Sequence, residues 1–225
     1  NIANDRSVFD ASTFGDNISY LNDGITKTKS NNHEISLQYK TKLDTIGSTL
    51  DIIGFSNLFD RNPITKSGAL DNVANTSSFN NANLDFALKN YYLKYDFAFP
   101  FEKSKFSINT GGKFNVLKVT NLGNYYLNTP TLSTINFDYT ENNLAFYVEA
   151  RKKIKKFSFT AGLRFEDFNV NRTAVKEGNT IDIKFKNSNF FPNVSALYEL
   201  MKDVNISASY SRKINQPTYN SLDPN

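Results

Sequence analysis

The chain has 225 residues, a formal net charge of +4, 39% hydrophobic content, one His, and neither Cys nor Trp. Disulfides are excluded, and the dispersed positive charge argues against a dedicated nucleic-acid surface, although the length is enough for a sizeable core. No run approaches the roughly 18 to 20 apolar residues of a membrane-crossing helix; strands of about 9 to 11 alternating residues remain open, and abundant Asn, Ser, Thr, Phe and Tyr favour them.

In chain order, residues 1–32 lack strong alternation and are expected to be an extracellular loop. Residues 33–43 set Ile35, Leu37, Tyr39 and Leu43 against Glu34, Ser36, Gln38, Lys40 and Lys42, the period-two signature of a two-faced strand. In residues 49–60 the apolar residues change sides, from Leu50 and Ile52 to Ile53 and Phe55, which predicts a bulge near Gly54. Residues 84–99 switch from Phe86 and Leu88 to Tyr91, Leu93, Tyr95, Phe97 and Phe99, predicting a second register change. Clean alternation returns at 105–118, 137–151, 157–165, 188–200 and 204–212, giving about eight strands and no helix.

The connections alternate in length. Short links at 44–48, 100–104, 152–156 and 201–203 separate long polar stretches at 61–83, 119–136 and 171–187, as in barrels with short periplasmic turns and long extracellular loops. Alternation alone also suits a soluble sandwich; the loop asymmetry favours the membrane barrel. Gln38, Lys40, Glu149, Arg151, Arg164 and Glu166 would then face a lumen. The aromatics Tyr91, Tyr92, Phe97, Phe99, Phe101, Phe190 and Phe191 would form interfacial girdles.

Catalytic and metal chemistry find little support. Glu166 and Asp167 are adjacent on a strand and point to opposite faces, so they are poorly placed to share a proton or a metal. Glu141 and Arg164 are expected in a lumen ion-pair network. His33 has no Cys or second His to share a metal and is expected in a loop. The basic run 151–156 reads as a solvated turn. Gly111-Gly112 has no following helix and reads as a bulge or close backbone approach rather than a phosphate loop. Asn75 and Asn193 head chance Asn-x-Ser/Thr triplets. Exposed aromatics in polar segments, Tyr125, Tyr126 and Tyr219, are the candidates for stacking on a ring-bearing ligand.

Several motifs occur in order: Asp138-Tyr139-Thr140-Glu141-Asn142 with Ala145; Gly162-Leu163-Arg164-Phe165-Glu166; Phe191-Pro192-Asn193; and Tyr210-Ser211-Arg212-Lys213-Ile214-Asn215-Gln216-Pro217 with Tyr219, Leu222 and Pro224. Together they resemble the outer-membrane β-barrel segment of TonB-dependent-receptor-like proteins of Bacteroidetes. The chain departs from that pattern at Lys213 and Gln216, where Arg is expected, and at Asp223, where Asn is expected.

The resemblance implies an all-β, antiparallel up-and-down transmembrane barrel, of which this chain is a fragment of a wall on the order of 22 strands. Residues 33–215 would carry the strands and 216–225 the start of the next loop. The chain starts without Met or a signal segment, so plug and N-terminal domains are expected to lie outside it. The implied role is the barrel wall of a nutrient receptor in the cell outer membrane, for a siderophore, oligosaccharide or peptide. It would be surrounded by lipid and served by TonB and a plug, with no cofactor, nucleic-acid partner or enzymatic activity. The competing readings are a structural or adhesive envelope barrel and a soluble all-β ligand-binding module.

Overall fold

A computed structural model describes residues 2–13, 16–71, 76–127, 132–176 and 178–213. They form one antiparallel sheet in sequence order: β1 (Ile2–Thr13), β2 (Asp16–Lys42), β3 (Thr49–Asp71), β4 (Thr76–Phe101), β5 (Phe106–Leu127), β6 (Leu132–Ile154), β7 (Phe157–Lys176), β8 (Asn179–Met201) and β9 (Val204–Ser211). Each strand pairs with the next, and β1 and β9 do not pair with each other, so the sheet is open among the described residues. This is the expected all-β, up-and-down arrangement of a barrel fragment, with one strand more than the alternation revealed. The only helical turn among the described residues is the 3₁₀ segment Glu102–Ser104 between β4 and β5.

Seven strands run 20 to 27 residues, about twice the length needed to cross a bilayer. That length corrects several expectations. The segments 61–83, 119–136 and 171–187 are mostly strand rather than long loops, because β3 to β8 continue through them. Within the stretch expected to be a loop, Ile2–Thr13 form β1 and β2 begins at Asp16, and His33 lies inside β2 opposite Leu58. Ladder hydrogen bonds satisfy the backbone of polar Asn-, Ser- and Thr-rich stretches as fully as that of apolar ones, so weak alternation there reflects water on the outer face and not the end of the strand.

Because facing residues in an antiparallel pair share a side, the registers define two faces. Tyr39, Ile52, Tyr95, Gly112, Phe146, Phe165 and Phe190 pair in succession on the outer face. Lys40, Asp51, Asp96, Gly111, Tyr147, Arg164 and Phe191 pair in succession on the inner one. Among the described residues, all eight buried apolar side chains are inner: Val119, Ile135, Phe137, Tyr139, Ala145, Phe168, Val170 and Ala174. No second layer covers them, so the sheet must curl toward that side, crowding inner side chains and splaying outer ones. Leu37, at 73% exposed, Leu93, Phe146 and Ile206 lie on the splayed face.

The side change in β3 and β4 needs no bulge. Register is continuous through Gly54 and through residues 84–99, and the bulge that occurs lies between Glu199 and Met201. In β4 the apolar residues switch because the two faces are apolar at different heights; in β3 Ile53 and Phe55 are inner residues level with Lys94 and Tyr92, Phe55 stacking on the Tyr92 ring, so there both faces are apolar at one height. Near the tight turns the outer face carries Tyr91, Leu93, Tyr95, Phe97, Phe99 and Phe101; further along, Phe86 and Leu88 pack inward against the Val119–Phe137–Tyr139–Phe168 cluster.

The tight turns share one device. Gly47, Lys105, Lys155 and Asp203 each take a positive φ, the left-handed residue that lets a short connection reverse the chain. Asp44 accepts hydrogen bonds at Oδ1 from the N–H groups of Ile46, Gly47 and Ser48, and its contacts with Ser48 hold the carboxyl below its ordinary value. The basic run is more than a solvated cap: Lys152 donates to Ser104 O at 2.6 Å, Lys153 to Glu199 at 2.6 Å and Lys156 to Leu200 O at 3.1 Å, lacing adjacent turns together.

Gly111-Gly112 is a close approach, not a bulge. A Cβ at Gly111 would lie 2.5 Å from the Tyr147 ring, and one at Gly112 2.7 Å from Tyr95 and 2.8 Å from Phe146. Rings thus cover both faces of a bare backbone. Gly111→Val and Gly112→Val should each destabilise the folded barrel by about 1 to 3 kcal/mol, read as a lower unfolding midpoint in detergent, whereas Gly54→Ala, which meets nothing within 4 Å, should be neutral or stabilising.

Candidate functional site

The inner face near the turns is a ladder of ion pairs and polar contacts. Each pair joins residues two apart on one strand, which alternation places side by side. Lys94 meets Asp96 at 2.6 Å, Arg151 meets Glu149 at 2.7 Å, and Arg164 meets Glu166 at 2.5 Å. Cross-strand contacts tie these together: Gln38 donates to Asp51 at 2.8 Å, and the Tyr147 hydroxyl donates to Asp96 at 2.6 Å. Lys113, directly opposite Lys94, lies 4.7 Å from the Tyr92 ring, which stacks on Phe55. Lys40, Asp51, Asp96, Tyr147, Glu149 and Arg151 line part of a hollow of about 320 Å³.

All six residues expected to face a lumen are on this side. Glu166 and Asp167 do diverge, Glu166 pairing inward with Arg164 and Asp167 accepting outer-face hydrogen bonds from Ser188 and Asn169. Glu141 and Arg164 are both inner but not partners, because Glu141 accepts from the Tyr139 hydroxyl at 2.8 Å.

Further from the turns, the inner face becomes aromatic and cationic. Arg61 stacks 6.0 Å from the Phe86 ring and Arg172 5.7 Å from the Phe137 ring. Around this cluster Asn90 Oδ1, Asn143 Oδ1 and Arg172 Nε are sheltered without a hydrogen-bond partner. Sequence reasoning missed this cluster, since Val119 falls in a segment read as a loop, Phe168 lies beyond the predicted strand 157–165, and Phe86 and Phe137 sit at or near the starts of predicted strands; their own period-two spacing on one face was the available signal.

The candidate ligand aromatics do not converge. Tyr125 is half-buried and inner, lying against Gly123, while Tyr126 is outer and exposed. Tyr219 and Asn75 lie outside the described residues. The other flagged Asn, Asn193, sits opposite Gly162, and its amide fills the space a Cβ there would need. Leu163 faces Pro192 and Arg164 faces Phe191, so motifs remote in sequence form one patch.

An apolar convex face, a charged concave face and one continuous up-and-down sheet meet the sequence comparison, in which residues 41–225 match the Outer membrane protein beta-barrel family. The chain belongs to that family. Comparison with curated protein sequences gives no match. Among solved structures, the ferric citrate transporter FecA in its unliganded form superposes with a TM-score of 0.58 at 13% identity, over 91% of this chain and 34% of FecA. The ferric-catecholate import receptor Fiu of E. coli K12, in its closed form, gives 0.49 at 11% identity over 93% of this chain and 45% of Fiu. The ferric yersiniabactin uptake receptor FyuA of Yersinia pestis gives 0.48 at 13%, over 92% and 40%. At this identity the FecA likeness is one of fold, and the chain spans about a third of that protein's length.

Asp96 is the junction of the polar ladder, holding both Lys94 and Tyr147. Asp96→Ala should lower stability by about 1 to 2 kcal/mol and Tyr147→Phe by less. A double-mutant cycle on detergent unfolding midpoints should return a coupling of about 0.5 kcal/mol or more.

Proposed function

We propose that this chain is part of the barrel wall of an outer-membrane, TonB-dependent receptor that takes up a nutrient. The observation that carries the reading is the matched pair of faces. On β4 the outer apolar run spans the eleven residues from Tyr91 to Phe101. At a rise of about 3.4 Å and a tilt of about 40°, that run reaches about 25 Å along the membrane normal, the height of a lipid-facing band. The opposite face over the same span carries Lys94, Asp96, Lys113, Tyr147 and Arg164, which lipid would reject and an aqueous or plug-filled lumen would accept.

The inner aromatic–arginine cluster, with its unpartnered polar atoms, offers contacts to a plug domain or a solute at the end away from the tight turns. That end is the extracellular one in this reading, and Tyr125 is at its inner rim. The wall performs no bond-making chemistry; gating and energy coupling would come from a plug and from TonB. The FecA-like fold supports a transporter of this kind, with the transported molecule left unspecified.

Two measurements test the reading on the full-length protein. The periplasmic domain of TonB should be retained by the detergent-purified receptor, and absence of binding contradicts the transporter role. A single cysteine at Thr120, on the protruding outer face, should react with a membrane-impermeant maleimide on intact cells. One at Leu93 should not.

A further inference from the structure

Lys89 and Lys118 face each other directly in the β4–β5 ladder, both on the outer face and both exposed. Like charges directly opposite destabilise a sheet, because the Cβ atoms of such a pair lie only about 4.5 to 5.5 Å apart. The inner face shows how this protein treats the same problem: Lys94 and Lys113 are also directly opposite, but Asp96 pairs with one and the Tyr92 ring covers the other. Neither remedy is present outside. Among the described residues no ion pair or aromatic ring meets Lys89 or Lys118: the outer-face carboxylates Asp60 and Asp85 accept hydrogen bonds from Asn31 and Asn62 instead, and Asp138, diagonal to Lys118 across the β5–β6 ladder, makes no ion pair with it.

Their height is also specific. Lys89 is the first outer-face residue beyond the apolar run on β4, next after Tyr91; Lys118 is the first beyond the run on β5, next after Val116. Both ammonium groups therefore emerge at the rim of the band, at headgroup depth, on the side where the strands protrude.

We propose that Lys89 and Lys118 form a binding site for the phosphate group of an anionic lipid in the leaflet on that side. One phosphate between the two ammonium groups removes their repulsion and supplies the acceptors that the protein withholds, while the acyl chains lie along Tyr91, Leu93, Phe114 and Val116. The site rests on the membrane reading above and adds to it a lipid class and two named residues.

The test uses the full-length protein in detergent, titrated with diphosphorylated lipid A and with enzymatically dephosphorylated lipid A. Wild type should bind the phosphorylated form at least about ten-fold more tightly, and K89Q/K118Q should lose that preference. K89R/K118R should keep it, K202Q at the opposite rim should leave it unchanged, and millimolar inorganic phosphate should not compete. Equal affinity for both lipids, an unaltered preference in K89Q/K118Q, or displacement by free phosphate overturns the site. Gel mobility of unboiled and boiled samples separates the two levels. A heat-modifiable barrel without phosphate preference sinks the lipid site alone, whereas a protein equally folded in plain buffer sinks the membrane reading and the site with it.

Discussion

One constraint organises this structure: an unbroken antiparallel ladder in which every residue is committed to one of two faces. From β2 to β8 the register runs without a slip, so a residue's side is settled by parity, and parity assigns apolar residues outward near the tight turns and charged residues inward. A one-residue slip of β4 would put Lys94 and Asp96 on the apolar face, and one of β7 would put Arg164 there. The glycine pair Gly111-Gly112 and the Gly162–Asn193 contact help hold that register, because in each case a neighbouring side chain fits only over a bare backbone.

Curvature follows from the same ladder. Crowding on the concave side buries Val119 and Phe137 completely without any covering layer, while their neighbours on the convex side stay open. The concave surface then divides into two zones: a polar ladder level with the outer apolar band, and an aromatic–arginine cluster beyond it. The change of apolar side within β4, between Leu88 and Tyr91, marks the boundary between zones. In a membrane setting that boundary is where the outer medium turns from lipid to water, which removes the demand for outward apolar residues and allows the inner face to become apolar instead.

Much of this was legible in the sequence. The strands flanking the tight turns, the all-β up-and-down class, the inward set from Gln38 to Glu166 and the divergence of Glu166 from Asp167 all follow from period two. The long outer halves of the strands did not, because alternation reports a difference between two environments, and beyond the band the outer face meets water as loops do. The same blindness made residues 1–32 look like a loop; Gly54 looked like a bulge because both faces of β3 are apolar at its height, Ile52 outward and Ile53 and Phe55 inward. Tyr125 and Tyr126 were grouped by exposure and composition, yet adjacent strand residues cannot share a face. The pairing of Gly162 with Asn193 depends on a register between distant segments that no local pattern encodes.

The central claim is that the convex face meets lipid and the concave face does not. Spin labels at Leu93 and Lys113 of the full-length protein in bilayers test it most directly, since both positions lie within the height of the proposed band on opposite faces. The account predicts that label 93 is relaxed by oxygen dissolved in lipid and shielded from a water-soluble nickel chelate, with label 113 showing the lower oxygen accessibility of the two. Equal accessibility to the nickel chelate at both positions, or oxygen relaxation stronger at 113, would contradict it.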